Sequence, residues 1–176
     1  MNRVFMMAAA AALAATGCAR MQDMMTKTPS ASATVLPTKD STVRGSVKFS
    51  QKGDRVLVAG RITGLTPGPH GFHIHEKGNC TAPDGSSAGG HFNPGTMKHG
   101  GPAGDVRHGG DLGNIIADAS GVAEFTVEAA GITLGTDAAS IVGRSVIVHA
   151  KADDLKTDPS GGSGARLACG LIGKNE

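Results

Sequence analysis

The chain has no tryptophan, no tyrosine and only five phenylalanines in 176 residues. Without large aromatics the core must be filled by Val, Ile and Leu, which favour strands. Charge of one sign is also missing: 17 Lys and Arg face 15 Asp and Glu, interspersed, for a net charge of +2. No basic stripe is present to neutralise a phosphate backbone, so nucleic acid is excluded as a partner. The only long apolar run, Val4 to Ala15, is too short to span a bilayer stably. No segment carries the periodicity of an amphipathic helix.

What is abundant is glycine, with 27 residues, which predicts long ordered loops between strands. The N-terminus reads as a charged start, an apolar stretch and Thr16-Gly17-Cys18, the order of a secretory signal. A Cys directly after small residues resembles a bacterial lipobox, with Ala15 standing where Leu is usual, so Cys18 is the expected lipidation site; plain secretion is the alternative. Ala19 to Thr38 is rich in Ser, Thr, Pro, Lys and Met and is expected to be a flexible tether. The expected organisation is a signal peptide over 1–18, a tether over 19–38 and one domain over 39–176. It places the protein in the periplasm or cell envelope, on the membrane through a lipid anchor on Cys18.

Two further cysteines, Cys80 and Cys169, form an even pair once Cys18 is set aside, and an oxidising compartment favours one disulfide over two buried free thiols. Closing so large a loop would restrict the unfolded chain by about 4–5 kcal/mol in the entropy model.

Partial alternation over Thr42 to Phe49 and Arg55 to Ile62, around Gln51 to Asp54, predicts a strand-turn-strand unit. Pro67-Gly68-Pro69 interrupts the chain before Gly71-Phe-His-Ile-His75, where His73 and His75 share one face of a strand. Gly78 to Gly110 is dominated by Gly, Pro, Asn, Asp and His, so it is a long loop with a functional or metal-ordered role. Asn114 to Ala117 and Val122 to Val127 flank the turn Asp118 to Gly121 and predict a second hairpin. Ser145 to His149 and Leu167 to Ile172 complete the strands, with a Gly/Ser-rich loop from Thr157 to Gly164 between them. The expected fold is all-β, an antiparallel sandwich or flattened barrel with long metal-binding and active-site loops.

The histidines fall into two groups. His73 and His75 offer two imidazoles to one ion, and His149 ends a separate apolar strand that can face them, a donor set suited to copper or zinc. His91, His99, His108 and Asp111 supply three imidazoles and one carboxylate, which a tetrahedral zinc accepts. A loop so poor in apolar residues needs another source of order, and zinc binding contributes folding free energy directly.

Six motifs then carry a family resemblance in order: Gly71 to His75, Gly89-Gly-His-Phe-Asn-Pro94, Lys98-His-Gly-Gly-Pro102, Arg107-His-Gly-Gly-Asp-Leu-Gly-Asn114, Val148-His-Ala-Lys-Ala-Asp-Asp154 and Ala165-Arg-Leu-Ala-Cys-Gly170. Together they resemble the copper/zinc superoxide dismutases from about Val43 to Gly173, in particular bacterial members of periplasmic or lipoprotein type. The resemblance implies a Greek-key fold. It implies copper at His73, His75, His91 and His149, zinc at His91, His99, His108 and Asp111, and superoxide as substrate, with His91 bridging both metals. It further implies that Asp153 hydrogen-bonds ligand histidines of both sites, that Cys80 and Cys169 are disulfide-bonded, that His70 is structural, and that Arg166 guides the anion.

The stretch Thr81 to Gly90 is longer than in compact eukaryotic members, and the loop after Asp154 is short and lacks their charged run, leaving Lys98 and Lys156 as further steering candidates. Family members dimerise through different faces or stay monomeric, so a homodimer is compatible with the resemblance. A copper/zinc carrier without turnover and a zinc-only adhesion or scaffold module are the competing readings. The intact copper-side histidines disfavour both, and Arg166, which a carrier does not need, further disfavours the first.

Overall fold

The computed structural model describes residues 28–176. Nine strands follow in order: β1 (Ser30–Pro37), β2 (Arg44–Lys52), β3 (Arg55–Thr63), β4 (Gly68–His75), β5 (Asp111–Ala117), β6 (Val122–Ala130), β7 (Ser145–His149), β8 (Arg166–Leu171) and β9 (Gly173–Lys174). Every ladder is antiparallel, and the order is β5-β4-β7-β8-β1-β2-β3-β6, with β9 on β1. The two ends of that order, β5 and β6, pack together without a ladder, so the sheet curls into a nearly closed barrel. This is the expected all-β class. Among the described residues no helix is long and apolar enough to cross a membrane.

The β2–β3 unit forms as its pattern predicts, with Lys52 opposite Arg55 across a two-residue turn. Two expectations are corrected. The tether over 19–38 runs too far, because Ser30–Pro37 is the first strand and pairs with both β2 and β8. Its inward residues are Ala31, Ala33 and Val35, small enough to hide the alternation, while Ser32, Thr34 and Leu36 face out. The signal sequence, Cys18 and the start of the tether lie outside the described residues.

The hairpin expected across Asp118 to Gly121 is the second correction. The turn itself forms, with Gly121 N–H donating to Asp118 O and Asp118 N–H to Val122 O. Beyond it the strands part, β5 pairing with β4 and β6 with β3.

Alternation in β4 and β7 positions the site. Phe72 and Ile74 of β4 and Val146 and Val148 of β7 point into the apolar core, where Phe72 meets Phe125 edge-on at 4.9 Å. The intervening His73, His75 and His149 therefore project from the barrel's outer face. They are nevertheless buried, because the segments 76–110 and 150–165 fold over that face. The long loop 78–110 contains one short 3-10 turn, Ser86–Ala88, and is otherwise irregular, as expected. Cys80 and Cys169 form a disulfide with a Cα–Cα distance of 5.8 Å, tying this loop to β8.

Candidate metal centre

Two clusters of potential ligands lie side by side and share one residue: His73, His75, His91 and His149, and His91, His99, His108 and Asp111. All seven side chains are buried. In each cluster one ligand atom per residue falls within 4.8 Å of all the others. These are the groups expected from the sequence, brought together by β4, β7 and the loop 78–110.

Four of the imidazoles have one nitrogen held by the protein and one turned into a cluster. His73 Nε2–H donates to Asp153 Oδ2 at 2.8 Å, leaving Nδ1 without a partner. His75 Nδ1–H donates to Gly89 O at 2.9 Å and His149 Nδ1–H to Gly164 O at 3.3 Å. Their Nε2 atoms are thereby left 3.4 Å apart. On the other side, His99 Nε2–H donates to Asp153 Oδ1 at 2.9 Å. The Nδ1 atoms of His99 and His108 lie 3.1 and 3.2 Å from Asp111 Oδ1 without hydrogen-bond geometry, converging around a point rather than on each other.

His91 belongs to both clusters. Its Nδ1 is 2.8 Å from Asp111 Oδ1, and its buried Nε2 has no partner on the side of His73, whose ring centroid is 4.0 Å away. Buried polar atoms normally find partners. Four unpartnered imidazole nitrogens in one place, on His73, His91, His99 and His108, fit a pair of bound cations.

Electrostatics favours the same state. Burial pushes His73 down to about 4, even against the pull of Asp153, and pushes His75 to about 2 and His149 to about 3. His73, His75 and His149 are therefore neutral imidazoles, the form that binds metal. Burial by itself would raise the Asp153 carboxyl, but hydrogen bonds from His73, the Leu155 amide and His99 outweigh it and hold the group at about 2. Asp111 is likewise kept low against burial by His91 and by the amides of Gly100 and His108, both on Oδ2. Both carboxylates are ionised and complement dications.

Arg166, at the start of β8, is half-buried and donates from its two terminal nitrogens to Gly85 O and Gly89 O, each at 2.7 Å. Gly89 O is also the acceptor for His75. The guanidinium's charge is felt at His75 and His149, where it helps disfavour the protonated ring. Asp84, beside Gly85, supports that cation from the surface. His70 is buried outside both clusters, its Nδ1 2.8 Å from His149 O and its Nε2 2.9 Å from Thr66 O and 3.2 Å from the Thr66 hydroxyl, a structural role. Lys98 and Lys156 are exposed on the covering loops.

Sequence reasoning missed two contributors. Asn114 exchanges two hydrogen bonds with the Asp153 backbone, at 2.9 and 2.7 Å, and its place at the end of the Arg107 to Asn114 motif was a usable signal. Asp158 accepts the His99 amide at 2.5 Å from a loop that looks like a mere connection.

Residues 43–172 match the family described as copper/zinc superoxide dismutase (SODC). A "Superoxide dismutase [Cu-Zn] 2" of Mesembryanthemum crystallinum is 48% identical over 141 residues, covering 76% of this chain and 89% of the plant protein. An "Extracellular superoxide dismutase [Cu-Zn]" of Brugia pahangi is 43% identical over 159 residues, 84% of this chain and 77% of the nematode protein. With the fold, both ligand clusters and the sequence match in agreement, the chain belongs to the copper/zinc superoxide dismutase family.

Proposed function

We propose that this chain dismutes superoxide in the cell envelope of a bacterium, with copper at His73, His75, His91 and His149 and zinc at His91, His99, His108 and Asp111. The reaction consumes two superoxide anions and two protons and yields one dioxygen and one hydrogen peroxide. The observation that carries the reading is His91, whose two ring nitrogens face two ligand clusters at once.

When bound, copper supplies one-electron redox chemistry and zinc supplies a fixed positive charge. The protein's own groups do the rest. Arg166 attracts the anion and orients it toward the His75 and His149 side of the site. His91 Nε2 can hold a proton in one half-reaction and release it in the other, while Nδ1 keeps to the Asp111 side. Solvent supplies the second proton. Asp153, by bonding both His73 and His99, fixes their tautomers so that each presents Nδ1 to its cluster.

Metal analysis and superoxide consumption by the purified mature chain test this reading. One copper and one zinc per chain with catalytic consumption is expected; bound metals without turnover would favour the carrier reading.

The finer location rests on Met1 to Cys18 and on the long Thr81 to Gly90 stretch of bacterial type. We assign residues 1–18 to a signal with a lipobox-like end, cleaved so that Cys18 becomes the first mature residue and carries the lipid anchor, and the segment up to β1 to a tether. Mass spectrometry of the mature N-terminus should find acyl groups on Cys18, and an unacylated chain would remove the anchor while leaving the enzyme. A homodimer is supported by Leu36 and Leu171, 60% and 53% exposed beside one groove next to the disulfide. Sedimentation of the native chain and of Leu171→Lys tests it: native dimers that dissociate in the variant are expected, and a monomeric native chain would dismiss it.

A further inference from the structure

Between Asp153 and Arg166 the chain makes a compact loop organised by acidic side chains. Asp154 Oδ1 accepts the amides of Lys156 and Thr157 at 2.9 and 2.8 Å, and its Oδ2 accepts the Thr157 hydroxyl at 2.6 Å. The Gly161 amide donates to Thr157 O at 2.7 Å, and Gly161 O accepts the Asp154 amide at 2.8 Å. Asp158 is carried at the bend between these two sets of bonds. Its Oδ1 reaches across 59 residues of sequence to the backbone amide of His99, at 2.5 Å.

His99 sits in the loop 78–110, outside any ladder, so no neighbouring strand holds its amide. With Asp158 on the backbone N–H and Asp153 on Nε2–H, the residue is gripped at both ends. Rotation about its two side-chain torsions is then restricted, and Nδ1 is left aimed at the Asp111 cluster.

We infer that Asp158 is a positioning residue for His99, a latch from the short active-site loop onto the zinc side of the centre. The inference rests on the reading above that His99 binds zinc. Asp158 is exposed, so its charge is screened by solvent and its main contribution is the directed hydrogen bond. Asp158→Asn keeps an oxygen acceptor and loses the charge; Asp158→Ala loses both. The latch also touches the copper side, because the same loop ends at Gly164, the acceptor for His149 Nδ1–H.

The test uses the full chain loaded with copper and zinc, in native, Asp158→Ala, Asp158→Asn and Asp111→Ala forms. Zinc transfer to a chromogenic chelator gives its affinity, and the visible bands of cobalt(II) in the zinc position report ligand geometry. Asp158→Ala should weaken zinc retention about tenfold, the low end for partners of metal-bound histidines, and should shift the cobalt bands. Asp158→Asn should stay close to native in both. Equal losses in the Ala and Asn variants would mean that charge rather than position matters, and would overturn the inference. Native retention in Asp158→Ala, with zinc lost from Asp111→Ala, would also overturn it while leaving the zinc ligands standing. Native retention in both variants would overturn the ligand assignment itself.

Discussion

Gly161 and Gly162 offer a paired test of how the active-site loop supports the metal centre. Both have left-handed backbone, with φ of 62° and 63°. Replacing either by alanine forces a side chain into that region, at about 1 kcal/mol. At Gly162 nothing further happens, since the nearest atom to an added Cβ is Asp154 Oδ2 at 3.7 Å. At Gly161 the added Cβ would collide with Asp153 Oδ1 and stand 2.7 Å from His99 Nε2. The Asp153–His99 hydrogen bond must then break or lengthen, and a bond to an ionised group contributes about 1.5–3 kcal/mol. Gly161→Ala should therefore lose about 2.5–4 kcal/mol against about 1 kcal/mol for Gly162→Ala. At about 2–4 °C per kcal/mol for a chain of this size, the second variant melts a few degrees low and the first about three times further. Zinc affinity should fall about 10- to 100-fold in Gly161→Ala and stay native in Gly162→Ala. Calorimetry with zinc competition on both proteins gives the comparison. Equal zinc affinity in the two variants would refute the claim that Asp153 orients His99.

Asp111→Ala removes a carboxylate that touches three imidazoles, so it should release zinc, raise amide hydrogen exchange across 78–110 and broaden copper selectivity through His91. Unchanged exchange in that loop would contradict a zinc-ordered segment. The metal-free protein should lose stability as pH falls below about 6.5: His73, His75 and His149 fold with values lowered to about 4, 2 and 3, so below 6.5 the unfolded chain binds more protons. Each contributes a slope of up to about 1.4 kcal/mol per pH unit between its unfolded and folded values, fully retained above that window. Denaturant midpoints of the metal-free chain that stay flat from pH 7 to pH 5 would contradict the burial of neutral imidazoles.

Much of the centre was legible in the sequence, for a physical reason. His73 and His75 are two apart on a strand, so their shared face follows from the pleat, and the loop 78–110 announces a non-apolar source of order by offering few core residues, Ala88 and Phe92, over its length. β1 was not legible: its buried positions are Ala31, Ala33 and Val35, while the larger Leu36 faces solvent, so size and burial run opposite to habit. The turn Asp118 to Gly121 was readable, but turn chemistry is local and says nothing of partners, which is why β5 and β6 diverge. Asp158 and Asn114 act on backbone atoms far away in sequence, and such contacts depend on the path of a loop rather than on a repeat.

The claim that this centre consumes superoxide meets its most direct test at Arg166. The guanidinium both supplies charge and clamps Gly85 and Gly89, and the two roles separate by substitution. Arg166→Lys keeps the charge and loses the fork; Arg166→Ile loses both. The measurement is superoxide decay by pulse radiolysis against ionic strength, on fully metallated native, Lys and Ile proteins. Steering acts over about 8–10 Å at physiological salt, so added salt should slow the native and Lys enzymes and barely affect the Ile variant, which should be slowest at low salt. Equal decay in all three at every ionic strength, no faster than in the metal-free protein, would contradict the account.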